Sequence, residues 1–329
     1  MPAIRPLRKL QVALETTPGT PVPATRVLRG SGRLTEKREA YRTEYPYGVR
    51  APAGGAGVIT RRWTEWEWES ELALEEVGWW LQSGVRQVTP TGSSDPYTWT
   101  WEPNLGSAGL SVQTLSLEYL ESDGTTNHYT AVAAYGVTTQ VSFEVSTEKV
   151  ATLKAAGQAR ARQATAPSAS ATPAAARTLL PGAMFKVWWD TSWTAIGTTQ
   201  LTGVVRDAKV ELKTGWEPAW TLDGRADLDW TQPQPGMLDV SAELTLELDA
   251  VAAARIANWR ANDLAYVRLA AAPSANREFR LDLAARLDDD LSFGEEGEVT
   301  TVALKLAGVY DPASQKLVSI QVKNGSASL

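Results

Sequence analysis

The 329-residue sequence has no cysteine, one histidine, three methionines and four phenylalanines. Without cysteine there is no disulfide framework, no thiolate metal site and no thiol nucleophile, and redox usage says nothing about compartment. With a single histidine, any Ser-His-Asp hydrolase would have to use His128 as its base. That residue closes Ser122-Asp123-Gly124-Thr125-Thr126-Asn127-His128, which reads as a turn between strands. A glycine-rich phosphate loop and a dinucleotide fingerprint are both missing. So is a basic surplus: the formal net charge of -6 has the wrong sign for gripping nucleic acid by phosphate neutralisation. No apolar run approaches the roughly 20 residues that cross a bilayer, and Met1-Pro2-Ala3-Ile4-Arg5-Pro6 lacks the apolar core of a signal peptide. These absences predict a cytoplasmic protein with no membrane partner, no cofactor, no metal and no enzymatic activity. Pairs of carboxylates for glycoside hydrolysis can be drawn anywhere among 38 acidic residues, but none stands apart from regular rows. Asp288-Asp289-Asp290 reads as an acidic turn between strands rather than a cation site.

Tryptophan, by contrast, is plentiful at fourteen residues. Exposed, they would suit a carbohydrate-binding β-sandwich; buried, they would anchor a core or an interface, the commoner use. The length suits two domains of about 150 residues. Residues 155–182, rich in Ala, Pro and Ser, read as a linker between a first domain at 1–154 and a second at 183–329. One order of signals recurs on each side: strand, long loop, alternating strand, helix, further strands.

In the first half Trp66, Trp68, Leu72 and Leu74 share one parity while Glu65, Glu67, Glu69 and Glu71 share the other. In the second, Val240, Ala242, Leu244, Leu246 and Leu248 alternate with Asp239, Glu243, Glu247 and Asp249. Period two predicts strands with one apolar face and one face of carboxylates. Each runs into a short amphipathic helix, predicted over Leu72–Gln82 with a left-handed stop near Gly84, and over Ala250–Arg260. Upstream of each lies a long irregular segment, 36–57 with Tyr41, Tyr45 and Tyr47, and 215–236 with Trp216, Trp220 and Trp230. Loops this long are functional or disordered, and their aromatics argue for function. Strand candidates follow at Tyr97–Trp101, Leu115–Tyr119 and Val141–Val145, then at Tyr266–Leu269, Phe279–Leu283, Leu287–Phe293 and Thr300–Leu306. Ser142-Phe143 and Ser292-Phe293 fall at similar places in the two orders, whereas Trp99 and Trp101 find no second-half equivalent. The fold read from these signals is mainly β with short helices: two tandem β-sandwiches, each with one packed helix.

The opening Ala13-Leu14-Glu15-Thr16-Thr17-Pro18-Gly19-Thr20-Pro21-Val22-Pro23-Ala24-Thr25 resembles the start of phage tail tube subunits, where an acidic residue precedes a Gly-Thr-Pro-Val turn. The later order, ending in Gly294-Glu295-Glu296-Gly297-Glu298-Val299-Thr300, is similar too. The resemblance implies a structural subunit whose strands join those of neighbours into a lumen-lining barrel. Single-domain members form hexameric rings; members with two tandem copies look like trimers, and this sequence resembles those. Four lining strands per domain, also taken from the family, make 24 strands at about 4.8 Å, a backbone diameter of roughly 37 Å, wide enough for duplex DNA. Implied partners are other copies of the chain and the tape measure, tail tip and terminator proteins. DNA would pass through without specific binding, and the location would be the virion tail, after assembly in the host cytoplasm. On this reading Glu65, Glu67, Glu69, Glu71, Asp239, Glu243, Glu247 and Asp249 line the lumen. Tyr41, Tyr45, Tyr47, Trp216, Trp220 and Trp230 make contacts between subunits.

Overall fold

Alternating apolar and polar side chains favour strands, and strands make up most of the computed structural model, which describes residues 5–42, 57–106, 112–163, 165 and 168–329. The first half holds β1 (Lys9–Leu14), β2 (Arg26–Leu28), β3 (Ser31–Arg42), β4 (Gly57–Glu71), helix α1 (Gly78–Gly84), β5 (Tyr97–Trp101), β6 (Leu115–Ser122), β7 (Asn127–Ser146), β8 (Thr152–Ala159) and β9 (Thr172–Pro173). The second holds β10 (Lys186–Asp190), β11 (Val205–Lys213), β12 (Trp216–Ala219), β13 (Gln232–Pro235), β14 (Asp239–Glu247), helix α2 (Ala250–Ala261), β15 (Leu264–Ser274), β16 (Arg277–Glu296), β17 (Val299–Gly308) and β18 (Val318–Asn324).

Pairing recurs as the sequence order does. Neighbours run β1, β6, β7, β8, β4, β3 in the first half and β10, β15, β16, β17, β14, β11 in the second. The two runs meet where β7 pairs antiparallel with β11, so strands of both halves share one sheet. β7 and β16, each 20 residues long, serve two layers. The early part of β7 pairs with β6 and its later part with β8 and β11. Tyr135, at φ 60, sits between those parts. β16 likewise pairs first with β15 and β18 and then with β17, across a register shift between Asp288 and Ser292. Between the layers Phe143 of β7 meets Phe279 of β16, ring centroids 5.1 Å apart. Trp66 stacks on Trp80 at 4.7 Å and Trp99 on Trp101 at 5.7 Å, in one continuous apolar core.

Several expectations need correction. The first helix is shorter than predicted and wholly buried rather than amphipathic, because Trp79, Trp80, Gln82 and Ser83 all face packed neighbours. Gly84 lies inside it, and the C-cap Val85 is right-handed. The second helix matches its expected span, capped by Asp249 and stopped by left-handed Asn262. The segment read as linker begins as strand: Ala155–Ala159 belong to β8, whose small side chains fit beneath Trp66 and Trp68. Gly157 is the clearest case, since a Cβ there would stand 2.1 Å from the Val137 carbonyl and 2.4 Å from the Trp66 ring. Further along, Ser168 and Arg177 lie against the first half, Arg177 on Glu71 (2.9 Å) and Glu76 (3.1 Å) and Ser168 on Glu118. Neither long segment is irregular throughout. Residues 36–42 complete the β3–β4 hairpin, and β12 and β13 form a small hairpin of their own. Asp288 to Asp290 lie within β16, at its register shift, not in a turn. Phe279–Leu283 and Leu287–Phe293 are one strand, not two.

Trp99 and Trp101 have no second-half counterpart because β5 pairs with β18, and both strands stand outside the recurring order.

Candidate functional site

Register decides which residues share a face. Glu71, Thr152, Glu144, Lys209, Glu243, Lys305 and Asp288 are successive cross-strand partners over β4, β8, β7, β11, β14, β17 and β16. One residue along, Ser70, Leu153, Phe143, Val210, Ala242 and Leu306 form the parallel row on the opposite, core-facing side. Because side chains alternate strictly, the acidic rows of β4 and β14 occupy one continuous polar face, and the intervening strands extend it. With β3 added beside β4, eight strands carry this face, four from each half.

The face is charged but not bare. Arg33 reaches Glu67 at 3.1 Å, Lys37 reaches Glu65 at 3.1 Å, Lys154 reaches Glu144 at 3.2 Å and Lys213 reaches Asp239 at 3.5 Å. Arg206 pairs with Glu247 at 2.5 Å. Carboxylates still outnumber cations on the face, so its field is negative. Partial burial alone would raise the Glu65 carboxyl, but the Trp63 indole N–H and Lys37 outweigh it and hold the group below the ordinary carboxylate range. A backbone hydrogen bond and Arg177 hold Glu71 low as well. Exposed pairs of this kind contribute only about 0.2–1 kcal/mol each, so their consequence is electrostatic patterning rather than fold stability.

Seven of the eight acidic candidates lie on this face. The exception is Asp249, which leaves the strand and accepts hydrogen bonds from Val251 N (2.8 Å) and Ala252 N (2.9 Å) as the cap of α2. The cations Arg33, Lys37, Lys154, Lys209 and Lys213 were missed, although the spacings Arg33-x-Thr35-x-Lys37 and Lys209-x-Glu211-x-Lys213 show the same period two.

The aromatic candidates fare differently. Trp230 is fully buried, donates to Ala159 O at 3.1 Å and lies 4.9 Å from Tyr135. Trp216 is buried and donates to Gly84 O at 2.8 Å. Trp220 packs edge-on against Trp63 with the Arg61 guanidinium 5.0 Å from its ring. All three fasten residues 215–236 to the first half of the same chain. Tyr41 is exposed, opposite Val58, while Tyr45 and Tyr47 lie outside the described residues. None of the fourteen tryptophans is fully exposed: nine are buried and Trp63, Trp188, Trp193, Trp220 and Trp259 are half-buried.

Among the described residues no group of three His, Cys, Asp or Glu is placed to hold a metal ion. His128 Nε2 lies 3.0 Å from Asp123 Oδ2, and backbone N–H donors of Thr126 and Thr125 hold that carboxylate well below its usual range. Ser122 is occupied with Thr126 O and Gly124 N, so the trio forms a turn and not a hydrolytic triad.

A family model described as Phage tail tube protein matches residues 7–306, nearly the whole chain. The chain belongs to that family. Its mainly β fold agrees with tail tube proteins, and membership gives it the part of a structural subunit of a bacteriophage tail, located in the virion. No curated protein matches it. Among the described residues no helix is long and apolar enough to cross a membrane.

Proposed function

We propose that this tail tube subunit closes into rings of three chains that stack into a hollow conduit, with the eight-stranded polar face lining the bore through which DNA enters the host. The observation that carries the reading is the face itself: four strands from each half in one sheet, polar on one side, core-packed on the other, and ending in β3 and the later part of β16, whose outer edges have no partner strand among the described residues. An edge strand exposes unpaired backbone groups that must be covered or used, and a heterologous contact between the two unlike ends repeats into a closed ring. Three chains supply 24 strands, the number a bore of roughly 37 Å backbone diameter needs. The recurring pairing supports two tandem copies of one domain, so that a trimer presents six similar units.

A net negative bore repels phosphate and releases no counterions to it, so DNA slides without being held. The interleaved lysines and arginines moderate the repulsion that three such faces would otherwise exert on one another. Contact between rings falls to exposed apolar side chains, Tyr41 with Val58 on the β3–β4 pair and Leu222 with Met237 beside the β12–β13 hairpin. Tape measure, tip and terminator proteins meet the ends of the stack, which forms in the host cytoplasm, and the subunit carries out no reaction.

Purified protein, examined by native mass measurement and electron microscopy, is expected to give masses in multiples of three chains and hollow tubes. A protein that stays monomeric at every concentration, or rings of six whole chains, would overturn the stoichiometry.

A further inference from the structure

The junction inside the chain specifies the junction between chains. Phe143 and Phe293 occupy the same place: Phe143 pairs with Leu153 of β8 and Phe293 with Val302 of β17, and these in turn face Ser70 of β4 and Leu246 of β14. Four residues back along each of those strands, Trp66 pairs with Leu34 of β3, and Ala242 with Val210 of β11. β3 therefore corresponds to β11, and the later part of β16 to the later part of β7. Charge agrees independently, since Arg33 opposite Glu67 matches Lys209 opposite Glu243.

Within the chain β7 and β11 pair, Phe143 opposite Val210 and Ser142 opposite Glu211. Their counterparts β16 and β3 have no partner on that side among the described residues. The result is visible in burial. Phe143 is 0% exposed, whereas Phe293 is 59% exposed, a large apolar side chain on a bare edge. We infer that β16 of one copy pairs antiparallel with β3 of the next in the register of the internal junction, placing Phe293 opposite Leu34 and Ser292 opposite Thr35, with Phe293 as the apolar anchor of the contact. This rests on the tail tube reading and adds to it the partner strand, its direction and its register.

The cysteine-free sequence makes the register directly measurable. In an antiparallel pair, directly opposed Cα atoms are about 4.5–5.5 Å apart, within disulfide reach. The double variant Thr35→Cys with Ser292→Cys, assembled and then oxidised, is expected to give covalent species on a denaturing gel that end at a closed ring. Thr35→Cys with Glu296→Cys, displaced by four residues or about 13 Å, is expected to give none, as are the single variants. Phe293→Asp is expected to keep the thermal midpoint of the parent, because the side chain is exposed in the single chain, yet to lose assembly. Tubes that cross-link only through the displaced pair, or Phe293→Asp polymerising like the parent, would overturn this pairing while leaving the tail tube reading in place. A parent protein that never assembles would overturn both.

Discussion

Glu15 shows how one carboxylate fixes a local fold. Buried in the first half, it accepts from Gly19 N (2.7 Å), Thr114 Oγ1 (2.6 Å), Ser116 Oγ (3.0 Å) and Tyr135 N (2.8 Å). It thereby ties the Thr-Pro-Gly-Thr-Pro turn to β6 and to the bend in β7. Desolvation is the strongest influence on it and raises its pKa, against the lowering effect of those four donors. An amide cannot accept at both positions, so Glu15→Gln sets an N–H against a donor. The expected loss is about 1–3 kcal/mol, read as a lower denaturation midpoint. The sign with pH follows from linkage. A raised folded pKa contributes stability that is complete below the ordinary value of 4.5 and is lost as pH climbs through the folded value. The gap between parent and Gln variant should accordingly be widest in acid and narrow toward neutral pH; a gap that widens with pH would contradict the assignment. The motif was conspicuous in the sequence, but apart from Gly19 its partners Thr114, Ser116 and Tyr135 lie about a hundred residues away, and no local pattern reveals them.

Among the elements, β8 was the hardest to recognise. Ala155, Ala156, Gly157 and Ala159 look like linker because they offer little to bury, yet their smallness is what lets Trp66 and Trp68 pack across them. Gly157→Ala is expected to cost about 1–3 kcal/mol through overpacking, since the nearest obstacle is backbone; a melting curve matching the parent would refute that account of the strand. Legibility followed the same logic elsewhere. β4 and β14 could be read because one face is water-exposed and the other is core, which writes period two into the sequence. α2 was readable from its apolar spacing, although its cap Asp249 was read with the acidic row, but α1 was not delimited correctly, because a helix buried on every side carries no amphipathic stripe. The tryptophans of residues 215–236 stand out by type, and they hold their own chain; residue type alone does not say whether an anchor holds its own chain or another.

For the molecule as a whole, the proposed function turns on the polar face. Replacing Glu67 and Glu243 by lysine should leave folding nearly unchanged, because exposed pairs contribute little, yet, if the face lines a bore as proposed, weaken its repulsion of phosphate enough to hold DNA. Tubes of that variant should retain DNA at low salt and release it as salt rises; indifference to DNA would show that the face does not meet it. The recurring order of strands could be read from sequence, whereas the union of both halves in one sheet could not, because it depends on the pairing of β7 with β11 across some seventy residues. The most direct test of the central claim is a symmetry-resolved image of the assembled tube. The account predicts three chains around the axis, 24 strands in the inner wall, and Glu67 and Glu243 turned toward the bore. Those carboxylates on the outer wall, or an inner wall built from other strands, would contradict it.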